Sequence, residues 1–233
     1  MVAAVYCPCG IVAATLSEDF FIDIQGEEKN PIYTPVNVIG LPHIITLWNR
    51  YAFVFSQLSS TQYEYRLNDL VQQVMRRWNE PPSLVELMPY IKKMLMDNEI
   101  QVIGAMAGYC SSEELPEPFV YQILGHDIHR INMSESGDFQ YSYMCLEKRA
   151  VVKKLLSACK LENGEMWEEY RQTRIRCDLF SIEKAMDFCK FMLSTNRYVN
   201  NINVVMYDEP LPIEMAVITP HEFKIIKNNT IFK

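Results

Sequence analysis

Seven cysteines and four histidines are the residues of this chain best suited to metal binding or nucleophilic chemistry. Their spacing limits what they can do. Cys7 and Cys9 flank Pro8 as C-x-C rather than C-x-x-C, and no second thiol pair follows at zinc spacing. His126 and His129 stand three apart, but no cysteine or carboxylate motif completes a tetrahedral set around them. Asp127 between them reads as part of a polar hairpin turn rather than as an acid/base group. Ser56, Ser59, Ser60 and Thr61 lack the G-x-x-x-x-G-K context of a phosphate loop and read as a helix N-cap cluster. No metal and no cofactor is therefore expected. The cysteines are odd in number and scattered, and a chain of 233 residues has no need of disulfide staples. Met1 to Cys9 carries no charged stretch of the kind that opens a secretory signal. Reduced thiols in a cytoplasmic protein are the expectation. The sequons at Asn132 and Asn228 are then chance matches.

Composition narrows the class further. The chain is 49% hydrophobic and 22% charged, which excludes a largely disordered protein. A formal net charge of −7 argues against a dedicated binder of nucleic acid or anionic membrane. The basic spots Arg76-Arg77 and Lys92-Lys93 are too small to reverse that. No apolar run reaches the roughly 18 residues of a membrane-spanning helix.

The elements that must position these groups come in blocks. Val2–Tyr6 and Ile11–Thr15 are short apolar runs around Pro8-Cys9-Gly10 and predict a hairpin. Phe20–Ile24, Val36–Ile39, Ile44–Trp48 and Tyr51–Phe55 continue as extended chain. The period then changes: Tyr63, Leu67, Leu70, Val71, Val74 and Trp78 recur at helical spacing up to Pro81-Pro82. Ser83-Leu84-Val85-Glu86 reads as a capping box opening a second helix, which Pro89 is expected to kink or end. Ile100–Tyr109, Phe119–Leu124 and Ile128–Asn132 predict strands, with a loop over Cys110–Pro118. A third helix is expected over Cys145–Cys159, with Leu146, Val151, Val152, Leu155 and Leu156 inward, and a fourth from Ser181. Asn203–Tyr207, Pro212–Thr219 and Phe223–Ile226 close the chain as strands. Blocks of strands between helix pairs suit an α+β, four-layer αββα sandwich: two stacked antiparallel sheets with helices outside each. With no linker or repeat, residues 1–233 are expected to form a single domain.

That order resembles the N-terminal-nucleophile hydrolases, and the local text resembles their proteasome β-subunit branch. Val2–Ser17 looks like the opening hairpin of that branch. Val36–Leu70 looks like its next strand pair and first helix, and Ile100–Asn132 like its central strands. Ile175–Asn196 followed by Pro212–Ile226, with the run P-I-E-M-A-V-I-T, is similar to its closing helix and strands. The resemblance implies a nucleophile at the start of the first strand whose free α-amino group serves as general base. Met1 or Val2 occupies that position, and neither is a nucleophile. The implied carboxylate at the end of the second strand falls on Leu16–Ser17, beside Glu18. The implied lysine falls on Asn30-Pro31-Ile32, near Lys29. The implied oxyanion glycine falls on Ser56-Gln57, and the Gly-Ser-Gly turn on Tyr143-Met144-Cys145. The late Asp-x-x-Ser support falls on Asn200–Asn203.

The resemblance thus implies a non-catalytic, structural proteasome-like subunit. Its partners would be copies of itself or paralogous subunits in a ring or barrel, with no nucleic acid or membrane. Tyr141–Met144 and the helix over Ser59–Trp78 are the expected interfaces. One alternative stands beside it. Cys9-Gly10-Ile11-Val12 resembles the N-terminal Cys-Gly-Ile-Val of class II glutamine amidotransferases, so removal of residues 1–8 would expose Cys9 as the nucleophile of an active amidohydrolase.

Overall fold

The computed structural model describes residues 1–16, 19–25, 32–38, 43–56, 61–110, 116–146, 175–200, 213–227 and 230–232. The expected opening hairpin is present: β1 (Val2–Cys7) pairs with β2 (Gly10–Leu16) through the two-residue turn Pro8-Cys9. Both lie inside a six-stranded antiparallel sheet of order β10-β1-β2-β11-β12-β13. Its other members are β10 (Ser142–Leu146), β11 (Ile213–Ile218), β12 (Phe223–Lys227) and β13 (Thr230–Phe232). A second antiparallel sheet runs β5-β6-β7-β8-β9. It comprises β5 (Ile44–Leu47), β6 (Tyr51–Phe55), β7 (Val102–Cys110), β8 (Glu117–Gly125) and β9 (Asp127–Arg130). A two-stranded ribbon of β3 (Asp19–Gln25) and β4 (Ile32–Val38) stands between them in sequence.

Three cores separate four layers. Alternate residues of β1 face opposite ways, as strand geometry requires. Val2, Ala4 and Tyr6 join the core between the sheets, while Ala3, Val5 and Cys7 join an outer core. All six are buried, so β1 reads as an unbroken apolar run instead of an alternation. The middle core is filled by small side chains, among them Ala4, Ala13, Ala52, Ala105, Ala107 and Ala216. Helices α1 (Thr61–Arg77) and α2 (Leu84–Asp97) cover the second sheet, burying Leu67, Val71, Leu87 and Leu95 against Tyr51, Phe53 and Phe119. Helix α3 (Ile182–Asn200) covers the first sheet through Ala185, Cys189, Met192 and Leu193. The architecture is the expected α+β sandwich, with helices outside both sheets.

Several expectations need correction. Cys145 and Leu146 do not open a helix; they end β10, where Ala3 pairs with Cys145 and Val2 with Leu146. Met144 and Leu146 turn into the middle core, and that strand alternation displaces the helical one. The remainder of that expected helix, 147–159, lies outside the described residues. So does the strand expected at Asn203–Tyr207. Cys110 and Glu117–Pro118 are not loop: β7 and β8 pair from Val102–Gly125 to Cys110–Glu117. Strand β9 stops at Arg130, because Asn132 turns its side chain back into the sheet. Its Oδ1 accepts from the Val120 N–H and its Nδ2 donates to the Pro118 carbonyl, at 2.9 and 3.0 Å. Asn132 is fully buried, so its sequon is closed to glycosylation. Pro89 neither ends nor splits α2. Ser83 caps that helix through its backbone carbonyl, which receives the Leu87 N–H, while its hydroxyl donates to the Glu86 carboxylate. Among the described residues no helix is long and apolar enough to cross a membrane.

Candidate functional site

The implied catalytic position lies at the end of the sandwich where β1 begins. Val2 there is fully buried, paired with Thr15 on one side and Leu146 on the other. Thr15 is the hydroxyl nearest in register, and it is also fully buried. Its Oγ1 lies 2.8 Å from the Met1 carbonyl and 3.1 Å from the Phe55 carbonyl of the opposite sheet. A hydroxyl has one proton to give, and carbonyl oxygens are not bases, so nothing here activates Thr15. It ties the two sheets together. Thr15→Val keeps the shape and leaves those buried acceptors without their donor. The expected cost is about 1–3 kcal/mol, read from the urea midpoint, with Thr15→Ser retaining most of the stability.

The other implied positions are equally occupied. Leu16 stands where a carboxylate is implied, and its carbonyl accepts from Nδ1 of the buried His43 at 2.9 Å. The His43 ring meets Phe55 edge to face at 5.6 Å. An oxyanion donor would be a free backbone N–H near Ser56. The Ser56 N–H donates instead to the Ile103 carbonyl at 2.8 Å, and its hydroxyl to the same oxygen at 3.2 Å. Tyr143-Met144-Cys145 is strand rather than turn. Ser17, Glu18, Lys29, Asn30, Gln57 and Asn201–Asn203 lie outside the described residues, as does the Asn200 side chain.

The structure adds a charged pair that no motif flagged. Glu214 on β11 is nearly fully buried opposite Thr15, on the strand face shared with Ala216 and Ile218. Its Oε1 meets Lys227 Nζ at 2.8 Å across the β11–β12 ladder. A lone acid in the apolar run Ile213–Ile218, thirteen residues before a matching lysine, is the signal that sequence carried. The pair holds β12 to β11 beside the middle core.

Cys9 lies at the other end of β1, roughly 20 Å away at about 3.3 Å per strand residue. It is exposed in the hairpin turn. Its neighbour Gly10 has φ 151°, and a Cβ there would fall 2.5 Å from the Ile218 carbonyl oxygen. Glycine follows Cys9 because β11 packs too close for any other residue. Cys7, Cys177 and Cys189 are poor nucleophiles. Burial pushes Cys7 and Cys189 up, and raises Cys177 to about 11. Cys159 lies outside the described residues, and the others described are all free thiols. His126 occupies the β8–β9 turn and His129 lies on β9. Among the described residues no group of three or more His, Cys, Asp or Glu side chains is placed to hold a metal.

The same end carries buried phenols. Burial, with Tyr141 next, raises Tyr6 to about 12, and burial lifts Tyr109 and Tyr51 further. A folded-state pKa above the unfolded value of 10 gives stability that is complete below pH 10 and lost as pH rises through the folded value. The expected result is a melting temperature that falls above pH 10, alongside phenolate absorbance that appears only on unfolding for these residues. Tyr6→Phe should reduce that fall.

Compared with known proteins, the chain matches no family model and no curated protein sequence.

Proposed function

We propose that this chain is a non-catalytic structural subunit of a proteasome β-subunit-like ring or barrel. It assembles with copies of itself or with paralogous subunits. The observation that carries the reading is Val2, fully buried in the middle core where the implied nucleophile would stand. Three features support it: the order of sheets and helices, the Ser56 N–H spent on Ile103, and the Thr15 hydroxyl spent on carbonyls. Helix layers on such sandwiches are the surfaces that meet neighbouring subunits. Here they expose Tyr65 and Val85 on α1 and α2, and Phe191 on α3. The free thiols among the described cysteines support a cytoplasmic location.

Sedimentation of the purified chain, alone and mixed with its cellular neighbours, tests the assembly, and fluorogenic peptides test the silence. A ring-sized species without turnover is expected. A strict monomer in both conditions contradicts the proposal. The second reading, an amidohydrolase with Cys9 as nucleophile, draws on the exposure of Cys9 in its turn. It requires the loss of β1, an interior strand.

A further inference from the structure

Where β1 begins, one hydroxyl stands among backbone carbonyls, with a buried carboxylate beside it. Thr15 Oγ1 lies 2.8 Å from the Met1 carbonyl oxygen, 3.1 Å from that of Phe55 and 3.5 Å from that of Leu16. Leu16 receives His43 Nδ1 at 2.9 Å. A hydroxyl has one proton, so the Met1 and Phe55 carbonyls compete for it. The lone pairs of Oγ1 stay open to an electropositive group.

Across the first sheet, Val2, Thr15, Glu214 and Lys227 form one row of ladder partners. The row lies on the face turned to the middle core, shared with Ala13, Ala216 and Ile225. Cross-strand neighbours hold their Cβ atoms about 4.5–5.5 Å apart, which brings the Glu214 carboxylate within reach of the oxygens around Thr15. Glu214 is only 5% exposed. Lys227 holds its Oε1, but Oε2 is buried and meets no donor. Buried polar atoms are satisfied by protein, by water or by an ion, and an orphan carboxylate oxygen is costly. The row is thus rich in acceptors and short of donors. Such an all-oxygen set suits a hard cation: carbonyls and a hydroxyl replace its hydration shell, and a carboxylate adds charge. Lys227 already offsets the Glu214 charge, which favours a monovalent ion over a divalent one. Half of these oxygens belong to the backbone, so no sequence motif marks them.

We propose that Glu214 Oε2, Thr15 Oγ1 and the Met1 and Phe55 carbonyl oxygens bind a sodium or potassium ion between the two sheets. Thermal unfolding of the full chain in sodium, potassium and tetramethylammonium chloride at equal ionic strength tests it. Tetramethylammonium is too large to enter. Sodium or potassium should raise the midpoint above the tetramethylammonium value, by about 3–5 °C for each tenfold rise in concentration past the dissociation constant. The salt with the lower onset identifies the ion. Glu214→Gln should move that onset about tenfold higher, because it removes a charged ligand. Lys227→Gln should move it about tenfold lower, because it removes a cation from beside the site. A Glu214 that served only its ion pair would not produce these opposite shifts. Equal midpoints in all three salts overturn the proposal and leave Oε2 to a buried water. So does an onset that Lys227→Gln leaves in place or raises, even where Glu214→Gln fails to fold.

Discussion

A chain shortened to begin at Cys9 is expected not to fold. Residues 1–8 contain all of β1, which pairs with β10 on one side and β2 on the other. Its loss separates β10 from the sheet and uncovers β2 along its whole length. It also removes Val2 and Val5, both fully buried, one from the middle core and one from the core under α3. Burial of each valine stabilises by about 1.5–3 kcal/mol, before Tyr6 or the two hydrogen-bonded ladders are counted. Domains of this kind are stable by only about 5–15 kcal/mol. Circular dichroism and a thermal scan on the shortened chain check this. An insoluble product, or one without a cooperative transition, is expected. Cys9→Ser in the full chain should melt as the parent does, because the side chain is exposed and packs into no core. A shortened chain that folds and hydrolyses glutamine would establish the amidohydrolase reading.

The second large effect is expected where β7 and β8 cross under α2. Gly108 pairs with Phe119, and the phenyl ring lies over the glycine. A Cβ at Gly108 would stand 2.6 Å from Tyr51 Cδ1 and 2.7 Å from the Arg50 carbonyl oxygen. The carbonyl is backbone and cannot give way cheaply. Gly108→Ala therefore forces the sheet or the Tyr51 ring to move, at about 1–3 kcal/mol. Phe119→Ala acts from the other side. Phe119 is fully buried and meets Tyr51 edge to face at 5.2 Å. Its truncation leaves a void that the β8 backbone cannot close, and about 3–5 kcal/mol is the expected loss. Urea midpoints of both variants check the values. The two residues share a contact, so the double variant should cost less than the sum of the singles. A variant pair that is additive within error would mean that the ring does not lie over Gly108.

Much of this fold was legible because local signals agreed. The Pro8-Cys9-Gly10 turn and the helices expected up to Pro81-Pro82, from Ser83 and from Ser181 all hold. What escaped was decided by distant contacts. Strand β10 looks like the start of a helix because its apolar end runs toward Val151, Val152, Leu155 and Leu156, which do recur at helical spacing. Its true partner is β1, some 140 residues earlier, and no local pattern reports that pairing. Pro89 suggested a break, but it is exposed on the outer side of α2, and the packing of Leu87, Ile91 and Leu95 carries the helix through it. The polar groups at the start of β1 were harder still. Thr15 and His43 belong to no motif, and both owe their roles to backbone carbonyls that only the stacked sheets bring near. Glu214 and Lys227 meet because the β11–β12 hairpin sets their register.

Native mass spectrometry of the chain isolated from its own cells tests the proposed role most directly, because it reads the chain's first residue and its assembly together. A full-length chain beginning at Met1 or Val2, held in a ring-sized complex with copies or paralogues, is the expected result. A chain beginning at Cys9, or a full-length chain that is strictly monomeric, would contradict it.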